Sequence, residues 1–208
     1  CLCVCVCVCV CVCLCACVCL CLWNMKHGTV NIENWKFENE SGRLRNDRLK
    51  DGKLKSYNAK NGKRVWQRDV LKDSGMSKPA AWGFAGSPLV VGDSIIVEAA
   101  HTISYSLKDG EILWKSDRYK PAYASPVAFK YNDKDLIITL KTEGLLVLDA
   151  NTGKTVTLSE WKTRFSTNAT TPIVIGNEVF ISTGYGRGCA LYKFDGASLN
   201  EVYTNKSL

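Results

Sequence analysis

From Gly52 onward, short apolar runs alternate with polar turns, and the same order of runs and turns returns several times. The fullest copy is GSPLVVGDSIIVEAAHTISYSLKDGEILW, Gly86 to Trp114. It holds a Ser-Pro start, an apolar run, a Gly-Asp turn, a second apolar run, a third strand-like piece and a Lys-Asp-Gly turn leading to Trp114. This pattern predicts four short strands joined by tight turns. The beginning recurs as ASPVAFKYNDKDLIIT (Ala124 to Thr139) and TTPIVIGNEVFIS (Thr170 to Ser182), with Pro88, Pro126 and Pro172 lying 38 and 46 residues apart. The ending recurs as KLKSYNAKNGKRVW (Lys53 to Trp66) and LVLDANTGKTVT (Leu146 to Thr157). The turn glycines Gly62, Gly110 and Gly153 lie 48 and 43 apart. A four-stranded unit repeating about every 40 to 48 residues is the pattern of a β-propeller, each repeat being one blade.

The repeated positions have physical reasons. Proline lacks an N–H, so Pro88, Pro126 and Pro172 belong at strand starts. Asn61-Gly62 predicts a two-residue hairpin with both residues at positive φ, and Gly92-Asp93 and Gly176-Asn177 predict tight hairpins as well. Ile95-Ile96-Val97 and Leu136-Ile137-Ile138 are apolar on both faces, as sheets buried between neighbouring blades require. Trp66 and Trp114, on the outer strands, would bury their rings between adjacent sheets. In the third unit Thr157 stands where the tryptophan is expected, and Trp161 follows late. Residues 24–51 show no regular period and are expected to be irregular or diverged, so the array spans 52–208.

The first 23 residues change the meaning of the composition. Of 12 cysteines, 11 occupy the odd positions from Cys1 to Cys21, and Cys189 is the other. Alternating Cys and Val is what an in-frame TGTGTG tract encodes, so residues 1–23 read as a low-complexity translation artefact. A membrane anchor and a metal-thiolate tract are the alternatives, and the period-2 pattern and the lack of cations argue against each. No basic n-region marks a signal peptide. The rest has the apolar share of an ordinary β-rich domain.

Charge adds little. The net charge of +7 is concentrated between Arg43 and Arg68 and lacks interleaved aromatic residues, so a solvated Lys-rich turn region is expected in place of a nucleic-acid footprint. His27 and His101 have no metal-ligand or triad spacing. Asp93, Asp109 and Asp149 sit in turns, where aspartate bonds its own backbone. Cys189 is expected to be a buried small residue. Gly184-Tyr185-Gly186-Arg187-Gly188 is the most unusual stretch: it would bring Tyr185 and Arg187 to a rim or central channel, with a Gly-rich bulge as the bland alternative. Trp82, Phe84 and Tyr123, beside the Ser-Pro strand starts, are channel or interblade candidates.

Asn58 to Trp66 (NAKNGKRVW) resembles the tryptophan-docking motif of the PQQ-like (pyrroloquinoline quinone) propeller repeat family, and Asp149 to Lys154 (DANTGK) is closer still. WGFAGSPLV, YASPV, ATTPIV and VFISTGYGRGCAL are similar to members described as outer-membrane-assembly-like or alcohol-dehydrogenase-like. The resemblance implies an all-β fold, a partial propeller of about three to four four-stranded antiparallel blades where the family closes seven or eight. Open sheet faces would then favour self-association. It also implies export to the periplasm or cell envelope, and a monomeric ring for the full-length protein. Quinoprotein dehydrogenases of this kind hold PQQ over Ca²⁺ or a lanthanide with Glu, Asn and Asp ligands, an Asp base and a vicinal disulfide. This sequence has no Cys-Cys pair. The expectation is therefore a non-catalytic binding or scaffold propeller with no evident cofactor, metal or nucleic-acid partner and an unknown protein or small-molecule partner. The alternative is part of a PQQ-dependent oxidoreductase acting on alcohols. Cofactor or rim candidates are Trp82, Tyr123, Tyr185 and Arg187; the structural repeat residues are Gly62, Trp66, Pro88, Gly110, Trp114, Pro126, Gly153 and Pro172.

Overall fold

The computed structural model describes residues 30–31, 52–58 and 61–206. Four antiparallel sheets follow one another along the chain, each a meander whose neighbours are consecutive in sequence. The first contains β1 (Val30–Asn31), β2 (Lys53–Asn58) and β3 (Arg64–Asp69). A single helical turn, α1 (Val70–Asp73), follows it, with the Asp69 carboxylate accepting from the Lys72 amide at its start. The second sheet is β4 (Leu89–Val91), β5 (Ser94–Glu98), β6 (Thr102–Ser106) and β7 (Ile112–Lys115). The third is β8 (Val127–Tyr131), β9 (Lys134–Leu140), β10 (Gly144–Asp149) and β11 (Thr155–Glu160). The fourth is β12 (Ile173–Ile175), β13 (Glu178–Thr183), β14 (Gly188–Phe194) and β15 (Leu199–Asn205). β1 lies within the stretch expected to be irregular; the Cys/Val tract and the rest of 24–51 lie outside the described residues. Among the described residues no helix is long and apolar enough to cross a membrane.

The first strand of the second, third and fourth sheets follows a proline: Pro88 precedes β4, Pro126 precedes β8 and Pro172 precedes β12. The inner hairpins turn on Gly92 (φ 56°), Gly176 (φ 61°) and the pair Asn132-Asp133 (φ 45° and 62°). The outer hairpins differ from the sequence expectation. Among the described residues of Asn58–Lys63, Gly62 alone is left-handed (φ 68°), and the loop is longer than the two-residue hairpin expected of Asn61-Gly62. Asn58 N–H donates to the Lys63 carbonyl and Gly62 N–H to the Asn58 carbonyl; the pattern repeats at Ser106–Glu111 and Asp149–Lys154. A glycine at the end of a four-residue loop carries the positive φ, and a bulge follows in all three ladders.

The middle strands are buried on both faces because alternate residues serve different cores. Ile95 and Val97 of β5 pack with Leu54 and Trp66 of the first sheet and Val70 of α1. Ile96, between them, packs with Ile137, Leu146 and Leu148 of the third. Leu136, Ile138, Leu145 and Val147 turn to the other side and join Val179, Ile181, Ala190, Tyr192 and Phe194 of the fourth. Every described junction between blades is thus an apolar core filled by two sheets. On the remaining face of the fourth sheet, Ile173, Phe180, Leu191 and Tyr203 pair across the strands in one apolar row.

The outer edge locks these junctions. The Trp66 indole N–H donates to the Leu107 carbonyl at 3.0 Å, and its ring lies where a Cβ on Gly110 would come within 2.7 Å. Trp114 repeats this on the next blade, donating to the Ala150 carbonyl at 3.1 Å and covering Gly153, whose Cβ would come within 2.3 Å. Gly110 and Gly153 therefore serve twice, for positive φ and for the absence of a side chain under the indole. At the third junction Thr157 replaces the tryptophan, and the Tyr131 ring lies on Gly196 instead, edge-on to Phe194 at 5.2 Å.

Candidate functional site: an aromatic rim over a buried polar seam

In each meander the outer and inner hairpins lie at one end, so the middle hairpins and the interblade connections share the other. The uncommon chemistry lies at that second end. Lys141, almost fully buried, follows β9 and forms an ion pair with Glu98 of β5 in the preceding blade; its ammonium also donates to the Ala99 carbonyl. Glu98 accepts from the Thr102 hydroxyl at 2.9 Å. The buried Asn168 amide donates to the Lys141 carbonyl at 2.7 Å and the Trp161 carbonyl at 2.9 Å, while its backbone carbonyl accepts from Tyr123 N–H at 2.8 Å. Trp161, fully buried, closes the line by donating to the Thr183 hydroxyl at 2.9 Å. The second, third and fourth blades are joined by this polar seam, whose charges are hydrogen-bonded as burial demands.

Above the seam lies the rim. The Arg187 guanidinium sits 3.5 Å from the Trp161 ring centroid and covers that indole. Tyr185, at the tip of the β13–β14 hairpin, meets Phe165 of the β11–β12 connection edge-on at 4.9 Å. Both rings are exposed, 64% and 57%, and Arg164 stacks over Phe165 at 5.4 Å. Ser166 (φ 55°) and Tyr185 (φ 60°) hold left-handed backbone without being glycine, a conformation that clusters at binding sites.

Of the residues selected from sequence, Tyr185 and Arg187 come together here, and Tyr123 reaches the seam through its backbone N–H. Trp82 is 69% exposed on the connection after α1 and takes part in none of the rim's ring contacts. Phe84 is buried in the core between the first two blades. Phe165, Arg164, Trp161 and the Glu98–Lys141 pair were not legible as site residues. Phe165 and Arg164 lie in an irregular connection with no period to mark them, and the ion pair joins residues 43 apart. Asp109 accepts from the Glu111 amide and Asp149 from those of Asn151 and Thr152. The backbone bond holds Asp109 below the usual carboxylate range. Asp195 accepts from Ala197 and Ser198, with the same effect. His101 donates Nδ1–H to the Ser116 carbonyl at 2.7 Å, and Cys189 is a buried free thiol. Among the described residues no three His, Cys, Asp or Glu side chains gather as a metal site would need.

Successive four-stranded meanders packed face to face, with aromatic side chains resting on the turn glycines of the following blade, define a β-propeller of PQQ-like repeats. The chain belongs to the family described as outer membrane protein assembly factor BamB, whose model matches residues 48–207. No curated protein matches it in sequence. Its fold is similar to that of BamB from Moraxella catarrhalis, with a TM-score of 0.53 at 18% identity over 72% of this chain and 46% of that one. It is also similar to the quinohemoprotein alcohol dehydrogenase from Comamonas testosteroni, with a TM-score of 0.54 at 12% identity over 74% of this chain and 32% of that one. The computationally designed Ika8 protein gives 0.50 at 11% identity, over 76% and 45%. At these identities the likeness is one of fold, and the chain spans less than half the length of each of these structures.

Proposed function

We propose that this chain acts by binding, as a scaffold propeller of the cell envelope. The observation that carries the reading is the rim, where two aromatic rings and two ring-stacked guanidiniums are presented outward on a rigid, hydrogen-bonded base. That is a surface for contact. Membership of a family described by an outer membrane assembly factor supports both the scaffold role and the envelope location. The indole-on-glycine junctions support reading Trp66 and Trp114 as the family's docking tryptophans.

The quinone alternative makes definite demands on the residues present. PQQ is a planar tricarboxylate and would want an open stacking face beside a ligand set for its cation. The one deeply set indole at the rim, Trp161, has its face covered by Arg187, and the carboxylates of Asp109, Asp149 and Asp195 are engaged by the amides of their own turns. The described residues do not fit the group, and no catalytic step is derived through it. The test is to incubate the purified full chain with PQQ and Ca²⁺, remove unbound cofactor by gel filtration, and follow dye-linked oxidation of a primary alcohol. Neither retained quinone absorbance nor turnover is expected; both together would overturn the binding reading.

A further inference from the structure

We propose that the Phe165–Tyr185 rim is a docking surface for an extended acidic peptide segment carrying an aromatic side chain; this rests on the binding reading above and names the chemistry of its partner. Two exposed rings from separate connections meet edge to face, so one face of the pair is closed and the other edges remain in water. Such an arrangement leaves exposed ring surface on which a third ring can pack. The backbone is strained at this spot: Tyr185 takes φ 60° although glycines flank it on both sides, and Ser166, next to Phe165, takes φ 55°. Both residues hold a conformation that disfavours a Cβ, and both sit where the rings are presented.

The charge around the rings selects an anion. Arg164 lies over Phe165 and Arg187 over Trp161, and neither enters an ion pair among the described residues. Lys206, exposed just after β15, has its Cα beside Gly188. Glu160, at the end of β11, is already paired with Lys162 at 3.1 Å. A guanidinium stacked on a ring has its plane fixed while its N–H edges point outward, the geometry for bidentate pairing with a carboxylate. Arg164, over Phe165, and Arg187, two residues from Tyr185 in sequence, supply two such forks for carboxylates spaced along an extended peptide. An anionic bilayer would call instead for a broad field of lysines.

The test uses the full chain and fluorescence anisotropy with a fluorescein-labelled peptide of alternating Glu and Trp. Matched Glu-Ser and Lys-Trp peptides serve as controls, and anionic phosphatidylglycerol vesicles serve in a sedimentation assay. The Glu-Trp peptide is expected to bind at least about tenfold more tightly than either control. Arg164→Gln and Tyr185→Gly should each weaken it by about tenfold. The melting temperature should be unchanged for Arg164→Gln and not lowered for Tyr185→Gly, because glycine accepts the left-handed backbone. Equal binding of Glu-Ser and Glu-Trp would show general polyanion attraction and overturn the proposal. So would wild-type affinity in Tyr185→Gly, or vesicle binding that Tyr185→Gly abolishes while the peptide stays free. A failed peptide titration removes this partner alone, whereas quinone-dependent turnover removes the binding reading itself.

Discussion

At two of the three described junctions between blades an indole lies on the turn glycine of the following blade, and at the third a phenol from a different strand lies on Gly196, at the start of the following blade's outer turn. Trp66 and Trp114 come from the outermost strands β3 and β7, opposite Ser56 and Ser104 on the adjacent strand. In the third blade the corresponding pair is Thr157 opposite Val147. The bulk has moved inward: where the outer residue shrinks from Trp to Thr, its neighbour grows from Ser to Val, and Tyr131 of β8 covers Gly196. The requirement the fold imposes is therefore an aromatic plate over a bare glycine. A tryptophan at one fixed position is only the commoner way to meet it.

The comparison can be broken most forcefully at the plates. Trp66→Ala, which empties the buried junction between the first and second blades, should lower unfolding free energy by about 3–5 kcal/mol. Tyr131→Ala, whose ring is half-exposed, should lower it by about 1–2 kcal/mol; urea titration of both distinguishes the two kinds of lock, and equal losses would erase the difference. Next come the glycines. Gly153→Ala combines a φ of 71° with a Cβ pressed against Trp114, and should cost about 2–4 kcal/mol. Gly62 has the same kind of backbone at φ 68° with nothing within 4 Å of the added Cβ, so Gly62→Ala should cost about 1 kcal/mol. A compensated effect is expected from restoring the indole at the third junction. Thr157→Trp alone should destabilise by about 1–3 kcal/mol through overpacking, and adding Tyr131→Ala should recover at least about 1 kcal/mol of that. Strict additivity in this double-mutant cycle would mean that the two rings do not compete for one place.

The smallest effect at neutral pH concerns the first junction alone. Burial, then the neighbouring Asp73 carboxylate, push the Tyr105 phenol well above the usual tyrosine range, and its hydroxyl donates to Asp73 at 3.2 Å. The folded state keeps a proton that the unfolded state releases above about pH 10. The stability from this group is thus intact below that pH and is lost as pH rises further, by up to about 1.4 kcal/mol per unit. Tyr105→Phe should cost about 1 kcal/mol at pH 7 and flatten that alkaline decline in a pH series of urea melts.

The parts of this fold that were legible in the sequence are those tied to a single residue's covalent nature. Pro88, Pro126 and Pro172 mark strand starts because no other residue lacks an N–H. Gly62, Gly110 and Gly153 mark turns because each must hold positive φ. The two-faced burial of Ile95-Ile96-Val97 was legible from an unbroken apolar run. Tyr131 was not, because substitution of one plate by another depends on a contact between β8 and the turn at Gly196, and nothing near Thr157 announces it. Asn61-Gly62 misled for a related reason: the dipeptide signals a two-residue hairpin only when the strands end beside it, and here the ladder closes on Asn58 and Lys63 with four residues between them. At the candidate site Tyr185 and Arg187 stood out through their flanking glycines, while Phe165 and Arg164 are ordinary residues until the fold sets them beside Tyr185.

The Glu98–Lys141 pair sets a limit on modularity. On aligning the inner hairpins, the positions equivalent to Glu98 in the third and fourth blades are Ile138 and Ser182. A duplicate of the second blade inserted after the third or fourth would bring its carboxylate to a junction without Lys141, and a blade carrying Lys141 placed after either would meet Ile138 or Ser182 in place of Glu98. The pair thus works as an address. Repeats that look interchangeable in sequence carry an order of assembly, and shuffling them by recombination would be penalised at this one buried contact.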